Sequence, residues 1–307
     1  MSDTIHATIT AALVEAIRAG AETGRLPWRG AERPTKLSDG TPYRGVNVLH
    51  LMAVAAVRGY GSGVWGGYAG WHRHGGQVRR REKGTRVLYA APIIAREEGA
   101  RTINEEKEHA PRRIVRTHVV FNRDQVDGLE AEWDEPESGS IADGQASART
   151  DVFTRALGAT VRHGGTEAAY LPGHDLILMP GRERFIDTET VTADVGYAST
   201  LAHELVHWSA PTHRADRACG ARGTPEYARE ELVAEFGAAF LAPELGFDYC
   251  GTSDHAGYLA LWLGHLERDE RALFAAAAEA SRAVRWLQER AAATEEGTRS
   301  AADAVDA

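Results

Sequence analysis

The sequence predicts an α+β protein of two domains: a small α+β domain over residues 1–127, then a mainly helical domain with a small sheet over residues 146–293. Three observations carry this. At 307 residues the chain is about twice the usual domain length, enough for two separate cores. Its charge is divided: residues 1–124 hold 20 Lys and Arg against 12 Asp and Glu, and the remainder holds 15 against 32. Between the halves, "LEAEWDEPESGSIADGQ" is acidic, carries Pro, Gly and Ser, and is poor in aliphatic residues, which marks residues 128–145 as a linker.

The charge division points to a polyanion as partner of the first half and to something other than nucleic acid for the second. Two cysteines, Cys219 and Cys250, make no disulfide framework and no C-x-x-C metal knuckle, as expected of a cytoplasmic protein. The N-terminus lacks the layout of a secretion signal, and no apolar run reaches the roughly twenty residues of a membrane span. A membrane partner is therefore not expected.

Ile5, Ile9, Leu13, Ala16 and Ile17 recur at helical spacing and predict an amphipathic first helix that ends near Gly20–Gly24. "VNVLHLMAVAAVRGYG" predicts a second helix, apolar almost all round, stopped by Gly59 and Gly61. The β-rich runs "RVLYAAPII" and "IVRTHVVFN" predict paired strands, joined by a charged loop. Beyond the linker come a helix ("SARTDVFTRALGA"), short strands ("TVRHGG", "AAYLPG", "DLILMP") and three more helices. The tail, residues 294–307, is expected to be disordered.

The chemistry concentrates in "YASTLAHELVHWSA". On a helix of 3.6 residues per turn, His203 and His207 share a face and aim two imidazole nitrogens at one point, with Glu204 beside it. Two neutral nitrogen ligands and a carboxylate base are what zinc-dependent hydrolysis of an amide requires. The opposing reading is a pair of satisfied core histidines. A third ligand is needed, and "REELVAEFGAAFL" offers Glu231 and Glu235, one turn apart on an otherwise small and apolar face. Buried unpaired, those carboxylates would cost several kcal/mol; a metal and a metal-bound histidine would relieve that cost. Glu231 is read as the ligand and Glu235 as acceptor from a ligand histidine, an order that the spacing leaves reversible. Glu230 is read as a solvated surface charge. The strand in "AAYLPG" is placed to align an extended peptide; Tyr197, His174 and His213 are read as structural.

In the first domain, Arg79, Arg80, Arg81 and Lys83 of "RRREKG" form a compact cation cluster suited to phosphates. Trp28, Tyr43, with Arg44 beside it, Trp65, Tyr68 and Trp71 are able to stack on unpaired bases, and core packing is the competing role of each aromatic.

Taken together, "LPWRG", "YRGVNVLHL", "GGQVRRREKG", "AAYLP", "DLILMP", "STLAHELVHWSAPTHRADR" and "EELVAEFGAAFL" resemble the ArdC-type antirestriction proteins of plasmids and other mobile elements, from Ile5 to Phe247. The resemblance implies an N-terminal domain that binds single-stranded DNA and a C-terminal zincin-like metallopeptidase domain of the gluzincin kind. It implies His203, His207 and Glu231 as zinc ligands, Glu204 as general base, and protection of incoming DNA as the role. Two other function classes compete: a non-proteolytic DNA-protection module with a structural or vestigial metal, and a metal-dependent nuclease. Glu204 argues against the first, because a structural site has no use for a base. The His-His-Glu set argues against the second, because nuclease sites favour oxygen ligands around Mg²⁺.

Overall fold

The computed structural model describes residues 9–18, 32–92, 113–129, 144–189, 191–217, 219–251 and 272–305. Helix α1 covers residues 9–18. It is followed by β1 (Thr35–Lys36), α2 (Val46–Arg58), β2 (Val64–Gly66), α3 (Tyr68–Arg73), β3 (Gln77–Val78), β4 (Thr85–Pro92), β5 (Arg113–Asn122) and β6 (Val126–Asp127). The two β-rich runs pair as an antiparallel ladder, Thr85 opposite Val120 through Pro92 opposite Arg113. The charged segment between them lies outside the described residues. The sheet order is β1-β2-β5-β4, with β3 and β6 forming a separate two-stranded ribbon.

The apolar surface of α2 has two partners. Val48, Leu49, Met52 and Ala53 join the large core, while Leu51, Val54 and Ala55 pack with Trp65, Val87 and Val120 beneath the sheet. Gly59 ends the helix in the left-handed region (φ 69°), its amide donating to the Ala55 carbonyl.

The second half contains α4 (Ala146–Leu157), β7 (Thr160–His163), β8 (Ala169–Leu171), β9 (Leu176–Met179), α5 (Ala193–Trp208), α6 (Pro225–Leu245) and α7 (Ala272–Val305). Its sheet has the order β7-β9-β8, with β8 antiparallel on the edge. Thr192 caps α5 through the Val195 amide, and Thr224 caps α6 through the Tyr227 amide, with Pro225 in the first turn. Asp194 ties α4 to α5 by accepting from the Ala146 amide at 2.8 Å.

Two features of the packing bear on the expected boundaries. The core is continuous across the expected domain boundary: Ile9, Leu13 and Ile17 of α1 share one buried cluster with α5, α6 and α7. The expected disordered tail is helical as far as Val305, because α7 carries on through an alanine-rich stretch, and alanine is the best helix former. Among the described residues, no helix is long and apolar enough to cross a membrane.

Candidate metal centre and nucleic-acid groove

Helix α5 places His203 and His207 one turn apart, their Nε2 atoms 3.2 Å from each other. His203 Nε2 lies 3.4 Å from Oε2 of Glu231 on α6, and His207 Nε2 lies 3.4 Å from Oε1 of the same carboxylate. Tetrahedral coordination at about 2.0–2.1 Å sets neighbouring ligand atoms roughly 3.3–3.4 Å apart, so the donors stand at the spacing a bound ion requires. The helices reach this separation because Gly237 faces Val206: a Cβ at Gly237 would lie 2.7 Å from Val206 Cγ2.

Of the outer ring nitrogens, that of His207 has a hydrogen-bond partner, while that of His203 faces a carboxylate beyond hydrogen-bond distance. His207 Nδ1 lies 3.3 Å from Glu230 Oε1, and His203 Nδ1 faces Glu235 Oε2 at 3.7 Å. A proton on each Nδ1 leaves the Nε2 lone pair directed at the common point. Glu235 accepts from the Tyr249 hydroxyl at 2.8 Å. Glu230 accepts two bonds from Arg217, Nη2 to Oε1 at 2.8 Å and Nε to Oε2 at 3.1 Å, and Arg217 also donates to the Val206 carbonyl and to Ser209. The surface role expected for Glu230 is thus overturned: it is 3% exposed, because α6 is buried on nearly every side and has no solvent face there.

The electrostatics fit a cation. Burial opposes protonation of both histidines, yet Glu231 with Glu235 raises His203 to about 9, and Glu230 with Glu231 raises His207 to about 10. Without an ion the carboxylates draw in protons instead. Burial opposes ionisation of Glu231 too, but the two imidazoles hold its carboxyl far below the usual range. Glu204 is pushed upward, mainly by burial, with the histidines working against the shift. It is a carboxylate with enhanced basicity, buried beside the two histidines of the donor cluster.

The residues expected at DNA separate into three groups. Trp65 is 1% exposed and fills the core under the sheet, so its ring is not offered to a base; Trp71 is likewise buried, its Nε1 donating to the Phe121 carbonyl. Tyr43 and Arg44 line a cavity of about 120 Å³ between the start of α2 and helices α6 and α7, apart from the cation cluster. Trp28 lies outside the described residues. In the cluster itself, Arg79 is engaged by Glu82 at 3.0 Å, by Asp127 at 3.3 Å and by the Asp124 carbonyl. Arg80, Arg81 and Lys83 are exposed, and among the described residues their side chains have no ion pair. Arg81 adopts a left-handed backbone (φ 72°) at the tip of the turn.

Comparison with known proteins agrees with this geometry. Residues 148–279 match the model of the zincin-like metallopeptidases, the class that the paired histidines and following glutamate define. Residues 3–121 match the N-terminal domain of the anti-restriction factor ArdC. The chain is 34% identical over 289 residues to "Uncharacterized protein y4eC" of Sinorhizobium fredii, covering 92% of this chain and 91% of that protein. It is 31% identical over 297 residues to "DNA primase TraC" of Escherichia coli, but spans 26% of that protein's length. Crystal structures of the antirestriction protein ArdC from plasmid R388, metal-free and Mn(II)-bound, each superpose with a TM-score of 0.69. Sequence identities are 36% and 35%, covering 92% and 94% of this chain and 97% and 98% of those chains. The chain belongs to the ArdC antirestriction family and carries a zincin-like metallopeptidase domain.

Proposed function

We propose that this chain is a zinc-dependent peptidase joined to a single-stranded-DNA-binding domain, and that it protects incoming mobile-element DNA. The observation that carries the enzymatic part is the position of Glu204: buried, one residue from a ligand histidine, and with its basicity raised by that burial. A metal needed only for folding would make no use of such a group.

In this reading residues 1–127 hold the DNA strand and residues 146–293 form the peptidase. His203, His207 and Glu231 would hold zinc, which would supply Lewis-acid activation when bound. The Glu204 carboxylate would accept a proton from the attacking water and pass it to the leaving amine. The free edge of β8 aligns an extended peptide by main-chain hydrogen bonds across the base. Glu230 and Glu235 keep each imidazole in the ligand tautomer. The ArdC protein of plasmid R388 has been crystallised both metal-free and with Mn(II) bound, which supports a divalent ion in this family.

The test pairs two assays on the Glu204→Gln protein, restriction protection of transferred DNA and cleavage of a peptide library. Loss of cleavage with the fold retained supports the enzyme. Undiminished protection by the same variant separates protection from proteolysis, and a zinc-loaded wild type that cleaves nothing refutes the peptidase assignment.

A further inference from the structure

Beside the cation cluster lies a groove of about 610 Å³, formed where α3, β3, β5 and the 79–82 turn meet. Tyr68 lines it and is 51% exposed, which sets it apart from the buried Trp65 and Trp71. Its ring is fixed from two directions. Phe121 packs edge-on at a centroid distance of 6.4 Å, and Gln77 Nε2 donates to the hydroxyl at 2.8 Å. An aromatic face already held in place loses little freedom on binding, which favours stacking.

The charges around the groove say which part of a ligand enters. Arg79, Arg80, Glu82 and Asp127 line it, two of each sign, and Arg79 is held by both carboxylates. A phosphate gains no net attraction by entering, whereas a neutral ring does gain by covering Tyr68. The exposed cations, Arg80, Arg81 and Lys83, stand along the neighbouring turn, where a phosphate chain would run.

We propose that this groove is a nucleobase subsite: one unpaired base stacks on Tyr68 while the adjoining phosphates pair with Arg80 and its neighbours on the turn. The proposal rests on the DNA-binding reading above and names the residue that reads the strand's aromatic content. A stacking platform accepts every base, as a protein that protects arbitrary DNA requires.

The experiment uses the full chain and a short fluorescent oligothymidylate, together with a strand of equal length whose sugars lack bases. The unaltered protein should bind the abasic strand at least about fivefold more weakly at fixed salt. Tyr68→Ala should weaken binding to the oligothymidylate by a similar factor, leave the salt slope unchanged, and have no effect on the abasic strand. Tyr68→Phe keeps the ring and should bind as wild type. Arg80→Ala should reduce the salt slope by about one. If wild type binds both strands equally, or Tyr68→Ala matches wild type on the oligothymidylate, the subsite is refuted while DNA binding stands. If wild type binds neither strand, the DNA-binding reading falls as well.

Discussion

Arg217 and Glu230 form a two-pronged ion pair inside the protein, at 2.8 and 3.1 Å, directly behind the ligand histidine His207. Both side chains are almost wholly buried. The guanidinium offsets a carboxylate that would otherwise add a further negative charge beside Glu231, and it fixes the oxygen that faces His207 Nδ1.

Removing one partner of a buried pair leaves the other uncompensated, so Arg217→Met should destabilise the protein by about 3–5 kcal/mol. Glu230→Gln should also destabilise the protein, because it leaves the buried Arg217 charge uncompensated, and should in addition lower metal affinity roughly 10- to 100-fold by loosening His207. Chemical unfolding and competitive metal titration measure the two effects separately. Arg217→Lys should rescue poorly, because an ammonium cannot make both bonds in one plane.

Gly237 sets the distance between the helices that carry the donors. Its replacement by alanine gains up to about 1 kcal/mol in helix propensity, but the new methyl would meet both Val206 methyls inside 3 Å, in a fully packed region. Gly237→Ala should therefore cost about 1–3 kcal/mol and weaken metal binding. Adding Val206→Ala should recover part of both losses; thermal melts and metal titrations of the double variant that show no recovery would remove Gly237 from this role.

His50 supplies a pH dependence far from the metal. Burial, helped by Arg58, lowers it from 6.5 to about 4, and its Nδ1 has no hydrogen-bond partner. The folded state therefore resists protonation that the unfolded state accepts. This contribution is fully present above pH 6.5 and is lost as pH falls toward 4, at a cost of up to about 3 kcal/mol. His50→Leu should flatten the fall in stability between pH 6.5 and 4, as followed by urea unfolding at several pH values. An unchanged slope would mean that other groups carry the acid sensitivity.

How far the sequence could be read follows from what each signal depends on. His203, His207 and Glu231 are brought together as expected, because spacing along a helix and charge in an apolar helix are local properties. The strands β4 and β5 were equally visible from their residue types. The burial of Glu230 has no local signature: a surface place for it requires a solvent side of α6, and only tertiary packing shows that the helix has none there. Arg217 sits in an irregular segment after α5, and Tyr249 follows α6; neither has a periodicity that would reveal its partner. Trp65 and Tyr68 look alike as sequence, and only the depth of β2 under α2 separates a core ring from an exposed one.

The most direct test of the account is a zinc-binding titration of the full chain beside Glu231→Ala and Glu204→Gln. Three protein donors with one open position predict about one ion per chain in the wild type. Glu204→Gln should bind that ion with unchanged stoichiometry, and Glu231→Ala should lose most of the affinity. The contrary result would be full affinity in Glu231→Ala, or loss of the ion in Glu204→Gln, either of which would assign ligand and base to the wrong glutamates.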